Sequence, residues 1–277
     1  MPVFETEYST LHYYEYGNGD EIMLAFHGFG MRGTQFKVLE EAFAKKYKII
    51  SFDLFFHGNT IIKDNSVQNI RRGLQSKLFS EQIASFLKEK YPTVQKVSLL
   101  SYSIGTRMAL CLIENMPQQI SSVYLIAPDG IEPNRLLKIG GKNYLVNRLF
   151  YKLVYSPKTV SFLLKSMLKF KYIDDAIYRI LKAEFGTTET RLISYNTITY
   201  YAQLSFDRQK IASFINTHQL NCHLYFGTKD KLFPSAIGER FGKLLNQPNI
   251  HVFNDGHELV NATMNNYLAN QLQQNDN

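Results

Sequence analysis

The chain has 277 residues, of which 45% are hydrophobic and 20% are charged, and its formal net charge at pH 7 is +7. These values are typical of a folded globular protein, and they exclude a disordered tail, a collagen-like chain and a disulfide-rich miniprotein. The length fits one large domain, or one domain that carries an insertion.

Cysteine content and hydropathy indicate the cellular compartment in which the protein is expected. The two cysteines, Cys111 and Cys222, are too few for a disulfide framework or a zinc cluster. The first residues lack the features of a signal peptide, and no window approaches the roughly 20 apolar residues of a membrane helix. We therefore expect a soluble, cytoplasmic protein with no transmembrane segment.

Short apolar segments alternate with helical patterns along most of the chain, which predicts a mostly parallel sheet with helices on both faces. The predicted strands are residues 11–16, 21–26, 47–52, 96–100, 122–126, 222–226 and 250–253. The predicted helices are residues 34–46, 78–90, 104–115, 234–245 and 258–271.

The alternation stops between residues 131 and 206, where the pattern is helical, aromatic and basic. This segment has twelve Lys and Arg against five Asp and Glu, and it carries the whole excess of positive charge. We interpret it as a helical insertion between two strands of the sheet. Its charge is typical of a solvated helical face, and it is also compatible with an anionic partner or a membrane surface.

The predicted strand at 96–100 runs almost directly into a helix through Ser101-Tyr102-Ser103-Ile104-Gly105. In a sharp strand-to-helix turn of this kind, the central serine projects above the carboxyl edge of the sheet and lies at a helix N-terminus. The flanking residues must be small because strand and helix nearly touch. The pattern therefore makes Ser103 a candidate nucleophile.

A serine nucleophile needs a base, and the base needs a carboxylate that orients it. Asp230 follows a predicted strand and precedes a helix that begins with Pro234, and His257 lies in the loop after the last strand. Near the N-terminus, His27-Gly28-Phe29-Gly30 follows another strand, and its glycines let backbone amides approach a reacting carbonyl. We expect the amides of Phe29 and Ile104 to form an oxyanion hole.

Five segments, in order, resemble those of the α/β-hydrolase fold family with an inserted helical cap. They are HGFG (27–30), DLFFHGNT (53–60), SYSIG (101–105), GTKDKLFP (227–234) and NDGHEL (254–259). The order Ser103, Asp230, His257 is the family's order of triad residues. The resemblance implies a core domain at 1–130 and 207–277, a cap at 131–206, and substrate-binding positions at His27, Gly28 and Tyr102.

Several residues compete for these roles. Asp129 also follows a strand end and is a second candidate for the triad acid. His27 and His57 are expected to hydrogen-bond backbone close to the site, and Asp255 is expected to stabilise its own turn. No grouping has convincing metal-ligand spacing, and no nucleotide-binding motif is present, so we expect no metal and no cofactor.

These patterns predict a serine hydrolase that cleaves an ester, thioester or related acyl bond of a small molecule, with the basic segment favouring anionic or lipid-like substrates. A serine in place of aspartate argues against dehalogenase or epoxide-hydrolase chemistry. A C–C bond hydrolase, a perhydrolase, an acyltransferase and a non-catalytic binding protein remain alternatives. Nucleic acid is not an expected partner, because the basic segment has no binding-fold signature, and homo-oligomerisation is left open.

Overall fold

The computed structural model describes residues 2–132, 135–173 and 175–275. The chain divides into two compact units. Unit 1 comprises Met1–Lys63, Gln75–Pro133 and Leu204–Asn277, and unit 2 comprises Asp64–Leu74 and Asn134–Gln203.

Within the described residues, unit 1 is built on a nine-stranded sheet. The strands are β1 (Val3–Glu5), β2 (Ser9–Tyr16), β3 (Glu21–Phe26), β4 (Tyr47–Phe52), β5 (Ile61–Ile62), β6 (Val97–Tyr102), β7 (Ile120–Ile126), β8 (Asn221–Gly227) and β9 (Asn249–Phe253). The central strands are rich in apolar residues and largely buried because helices cover both faces of the sheet. All six residues of β6, for example, are buried.

The order across the sheet is β1-β2-β4-β3-β6-β7-β8-β9, and β5 pairs with β2. From β4 to β9 all neighbours are parallel, whereas β1, β4 and β5 each run antiparallel to β2. The carboxyl ends of β3, β6, β8 and β9 therefore lie at one edge of the sheet, where open α/β sheets place their ligands.

The helices of the described residues divide between the units. In unit 1 they are α1 (Glu40–Phe43), α3 (Ser76–Lys90), α4 (Thr106–Asn115), α10 (Arg208–Thr217), α11 (Ala236–Gly242) and α12 (Ala262–Asn275). In unit 2 they are α2 (Val67–Arg72), α5 (Arg135–Lys142), α6 (Tyr144–Val154), α7 (Pro157–Lys169), α8 (Asp175–Glu184) and α9 (Thr188–Tyr201). Short 3-10 turns span Gly33–Leu39, Ser103–Gly105 and Pro117–Gln119.

Two helical layers enclose the sheet of unit 1. Helices α3 and α10 pack against α4, which in turn contacts β6 and β7. Helices α1 and α12 pack together and share a buried apolar cluster with the sheet that includes Phe43, Tyr47, Leu100, Met264 and Leu268. This arrangement confirms the predicted α/β-hydrolase architecture, a mostly parallel sheet with helices on both faces.

The predicted strands are all present, with β3 and β4 bounded as predicted. The helix predicted at 34–46 is wrong in type for its first half, because Gly33–Leu39 is a 3-10 turn and only Glu40–Phe43 is α-helical. Glycine and threonine at its start favour the backbone of a turn over an α-helix. The edge strands β1 and β5 were not predicted, because two or three residues are too few to show a period.

Unit 2 packs around α9, which contacts α2, α5, α6 and α8. At its centre, the buried Asn147 side chain accepts hydrogen bonds from Tyr195 (2.8 Å) and Arg71 (3.0 Å) and donates to Thr199 (2.8 Å). The insertion predicted at 131–206 overlaps this unit, which also includes Asp64–Leu74. Residues 133, 134 and 174 of the predicted insertion lie outside the described residues.

Of the helices in residues 2–132, 135–173 and 175–275, none is long and apolar enough to cross a bilayer.

Candidate active site

Ser103 occupies a strained turn between β6 and α4. Its φ of 52° lies in the left-handed region, which a serine adopts only when the surrounding structure holds it there. The strain results from the reversal between a buried strand and a buried helix within three residues. The amide of Asp129 donates to the carbonyl of Ser103 (3.2 Å) and fixes the turn from the neighbouring strand end.

The two small residues of the turn have different packing. A Cβ added at Gly105 would overlap the carbonyl of Phe26 and lie 2.5 Å from the carbonyl of His27, so no side chain fits between α4 and β3. At the other flank, Ser101 is fully buried and its hydroxyl donates to Thr106 Oγ1 at 3.3 Å. The turn therefore requires glycine at 105 and accommodates serine at 101.

His257 and Asp230 lie at the same sheet edge as Ser103 and form one hydrogen-bonded relay with it. His257 Nδ1 is 2.7 Å from Asp230 Oδ2, and His257 Nε2 is 3.1 Å from Ser103 Oγ. With its proton on Nδ1, the histidine donates to Asp230 and accepts from Ser103. The order of the strands in the sheet brings together residues that are 154 positions apart in the chain.

The environment of Asp230 keeps it ionised. Burial raises the pKa of its carboxyl group, but hydrogen bonds from His257 and from the amides of Phe233 and Leu232 outweigh burial and lower that pKa below its ordinary value. The amides of Leu232 (2.8 Å) and Phe233 (3.0 Å) donate to Oδ1, which leaves Oδ2 for the histidine. A carboxylate held in this way favours one tautomer and one orientation of the imidazole.

Asp129, the second candidate for the acid, has a different partner. Its carboxylate pairs with Arg107, whose Nε lies 2.6 Å from Oδ2 and whose Nη2 lies 3.1 Å from Oδ1. Both side chains are buried, and Arg107 also donates to the carbonyl of Leu204 (3.1 Å). The structure therefore places Asp230, and not Asp129, beside His257.

Arg107 was missed by the sequence reasoning. The available signal was an arginine four residues after Ser103 that is followed by six apolar residues, Met108–Ile113. An arginine on a buried helix face needs a carboxylate partner. Asp129, which follows the next strand, could have been predicted as that partner.

The segment after β3 is organised by His27. This residue is fully buried, with Nδ1 at 2.7 Å from the carbonyl of Gly28 and with Nε2 accepting from the amide of Leu54 (2.9 Å). Burial, together with the nearby His57, lowers the pKa of His27 to about 3, so the ring is neutral. Both ring nitrogens are engaged within the protein, and they fix the loop that carries Phe29.

Gly28 and Tyr102 contact each other closely. A Cβ at Gly28 would lie 2.6 Å from the Tyr102 ring, which therefore requires glycine at this position. The Tyr102 hydroxyl donates to the carbonyl of His257 (2.9 Å), and its ring lies 5.2 Å from the imidazole. Burial raises the pKa of Tyr102, so it remains a hydrogen-bond donor.

The predicted oxyanion donors lie at the end of β3 and at the start of the turn after β6. Ile104 is the second residue of the 3-10 turn Ser103–Gly105, where the first amides have no acceptor within the helix. Phe29 follows the buried Gly28, and its ring packs against His57 at 5.6 Å. Among the described residues, no acceptor is found for the Phe29 amide.

The loop after β4 forms a tight turn in spite of its bulky residues. Phe56 has a φ of 66° and Gly58 a φ of 54°, and Asp53 accepts from the amides of Gly33 (2.8 Å) and Asn59 (2.9 Å). His57 donates from Nδ1 to the carbonyl of Phe55 (3.0 Å), which leaves its buried Nε2 without a partner in the described part of the chain.

The remaining candidates have ordinary structural contacts. Asp255 accepts from its neighbouring amide at Gly256 (2.8 Å) and from the Asn261 side chain (3.0 Å). Within residues 2–132, 135–173 and 175–275, no group of three or more His, Cys, Asp or Glu could hold a metal ion.

Comparison with known proteins agrees with this architecture. A family model described as alpha/beta hydrolase fold matches residues 21–260. No curated protein matches the chain.

Among solved structures, the chain is similar to a thermophilic esterase from Thermogutta terrifontis (14% identity, TM-score 0.67, 96% of this chain and 94% of that chain covered). It is also similar to a structure from a study of carboxylesterases of Nitrososphaera gargenis (11% identity, TM-score 0.67, 98% of each chain covered). An enol-lactonase from Burkholderia xenovorans LB400 is a third similar structure (12% identity, TM-score 0.64, 98% of each chain covered). At these identities the similarity is one of fold.

Proposed function

Because the chain belongs to the α/β-hydrolase fold family, we propose that it is a serine hydrolase acting on an ester, thioester or related acyl bond of a small molecule. The observation that carries the proposal is the relay in which His257 lies 3.1 Å from the Ser103 hydroxyl and 2.7 Å from Asp230. Distances of this kind allow proton transfer between nucleophile and base.

In the proposed reaction, Ser103 Oγ attacks the acyl carbonyl while His257 Nε2 takes the hydroxyl proton. A new C–O bond forms, and the carbonyl electron pair moves onto its oxygen. The histidine then protonates the leaving group, and the acyl-enzyme forms as the bond to that group breaks. Water, deprotonated by the same histidine, attacks the acyl-enzyme. The bond from the acyl carbon to Ser103 Oγ then breaks, the histidine returns its proton to Oγ, and the acid is released.

The remaining groups of the site have supporting roles in this proposal. The amides of Phe29 and Ile104 stabilise the tetrahedral oxyanion, and each such donor is worth about 3–4 kcal/mol at the transition state. Asp230 stabilises the imidazolium that forms when His257 takes the proton. His27 and Tyr102 position the two loops through the backbone of Gly28, Leu54 and His257.

The test uses p-nitrophenyl esters of increasing chain length together with a fluorophosphonate probe. We expect turnover and covalent labelling of the wild-type protein, and loss of both in Ser103→Ala with unchanged thermal stability. Ser85→Ala is the matched control, because Ser85 is exposed on α3 and takes no part in the hydrogen bonds of the relay. A wild-type protein that neither turns over an ester nor reacts with the probe would instead be a binding protein on this fold.

A further inference from the structure

One segment of unit 2 has an unusual charge composition. Between Arg135 and Ile173 the chain has nine Lys and Arg and no Asp or Glu. A solvated helix ordinarily mixes both signs, because like charges on neighbouring turns repel each other. All the charged residues of this segment are therefore positive.

The same segment exposes large apolar side chains. Of the eighteen large hydrophobic residues that are exposed in the described part of the chain, eleven lie in it. They include Leu145 (73% exposed), Phe162 (69%) and Tyr172 (79%). Scattered exposed hydrophobic residues are normal, but a concentration of this kind marks an interaction surface.

Helix α6 separates its two faces by helical spacing. Asn147 and Val154 are buried on one side. The residues at 145, 148, 149 and 152 follow the i, i+3, i+4, i+7 pattern of a single face, and all four (Leu145, Arg148, Leu149 and Lys152) are exposed. This outer face is thus half aliphatic and half cationic.

Helix α7, which packs against α6, repeats the pattern. Lys158, Phe162, Lys165 and Lys169 are all exposed and lie on one stripe at i, i+4, i+7 and i+11. Phe170, two-thirds exposed, and Tyr172 follow at the end of the helix. We call the exposed residues of α6 and α7, together with Phe170 and Tyr172 directly after α7, the basic-apolar face.

We propose that the basic-apolar face binds the surface of a membrane that contains anionic lipids. Helices that lie in a bilayer interface insert aliphatic and aromatic side chains between headgroups, while lysines extend their aliphatic stems and place their charges at the lipid phosphates. The mixture of leucine, phenylalanine and lysine fits that environment. The proposal does not depend on the catalytic function proposed above.

The face fits other occupants less well. A nucleic acid would use the positive charge but leave the leucines in contact with a polar backbone. A second copy of this chain would bring together two surfaces of the same sign. Association between copies and binding of single-stranded DNA are therefore measured beside vesicle binding.

The full-length protein is sedimented with vesicles of phosphatidylcholine alone or with 30% phosphatidylglycerol, at low and high salt. We expect binding to the anionic vesicles that is at least about tenfold tighter than to neutral ones and that weakens with salt. Vesicle-free protein must stay in the supernatant, because sedimentation by itself would indicate association between copies and overturn the proposal.

Two sets of variants locate the surface. We expect Leu145/Leu149/Phe162→Ser and Arg148/Lys152/Lys165→Gln each to weaken anionic-vesicle binding by about tenfold or more. The matched controls change exposed residues of unit 1, Val38/Ile61/Val252→Ser and Lys45/Lys88/Lys243→Gln, and should bind as wild type.

Circular dichroism and thermal unfolding verify that each variant is folded. Equal binding to both kinds of vesicle, equal losses in test and control variants, or tight binding of a labelled single-stranded DNA without vesicle binding would each overturn the proposal.

Discussion

At the scale of single residues, Asp129 and Asp230 show how the partner determines a carboxylate's role. Both follow the ends of neighbouring strands, β7 and β8, and both are buried. Asp129 neutralises the Arg107 guanidinium, whereas Asp230 accepts two amides and the imidazole of His257. The Asp129 carboxylate therefore compensates a buried cation, and the Asp230 carboxylate orients the proposed base.

We predict that Asp230→Asn and Asp129→Asn fail in different ways. Asp230→Asn should lower kcat by about 10⁴-fold, because asparagine favours the wrong tautomer of His257. Asp129→Asn should lower the free energy of unfolding by about 3–5 kcal/mol, because it leaves the buried guanidinium without a counter-charge. Ester turnover and urea denaturation of both variants check this, and a reversal of the two effects would assign the acid to Asp129.

A second residue-scale prediction concerns Tyr102. Tyr102→Phe removes the hydrogen bond to the carbonyl of His257 while keeping the ring that packs on the imidazole. We expect a loss of about 1 kcal/mol in unfolding free energy and a fall in kcat of up to about tenfold with little change in KM. Tyr8→Phe, at an exposed tyrosine, is the control. An unchanged kcat would remove Tyr102 from the positioning of His257.

At the scale of elements, the contact between β3 and α4 defines the turn at Ser103. Gly105 allows the helix to begin against the carbonyls of Phe26 and His27, and these carbonyls belong to backbone that cannot rotate away. The strained φ of Ser103 depends on this contact, because a helix displaced from the strand would let the turn relax.

We therefore predict that Gly105→Ala destabilises the protein by about 3 kcal/mol or more and lowers kcat together with stability. Gly256→Ala is the control, because a Cβ there meets nothing within 4 Å. Thermal unfolding and ester turnover are measured for both. A Gly105→Ala protein as stable as wild type would show that the close approach is not required.

Elements were predictable from the sequence where apolar residues formed a clear segment between polar ones. Strands β3 and β4 had the predicted bounds, since each is a mostly apolar segment that is followed directly by a polar residue, His27 or Asp53. The first half of the helix predicted at 34–46 is a 3-10 turn, because Phe36 and Leu39 are spaced by three residues and fit either helix type. Phe56 adopts a φ of 66° that no local preference for phenylalanine indicates.

At the scale of the whole molecule, burial determines how the protein responds to acid. Burial lowers the pKa of four histidines, His27 (to about 3), His57, His223 (to about 4) and His251. The unfolded chain takes up protons at these residues near pH 6.5, whereas the folded protein takes them up only at a lower pH, near 3 for His27 and near 4 for His223. Protonation therefore favours the unfolded state throughout that interval.

We predict that the free energy of unfolding has its maximum contribution from these histidines above pH 6.5. It falls as the pH decreases from 6.5 towards 4. Each histidine that stays neutral in the folded state contributes a slope of at most about 1.4 kcal/mol per pH unit. The lowered pKa of Asp230 adds a further loss only below about pH 3.8, where the unfolded carboxyl is protonated first.

Urea denaturation at several pH values measures the slope in wild type and in His27→Gln. We expect a smaller slope in His27→Gln, because one titrating group is removed. His218→Gln, at the end of α10, is the matched substitution. A wild-type stability that is constant between pH 4 and 6.5 would contradict the prediction.

The sequence by itself determined the family, the order of strands and helices, and the identity of Ser103, Asp230 and His257 as candidates, because these depend on local patterns at strand ends. Only the tertiary structure decided that Asp230 contacts His257 while Asp129 pairs with Arg107. It also decided that both nitrogens of His27 bond to backbone and that Phe56 takes a left-handed conformation. These outcomes depend on which groups from distant strands meet in a buried space, and local sequence does not encode the partner that burial provides.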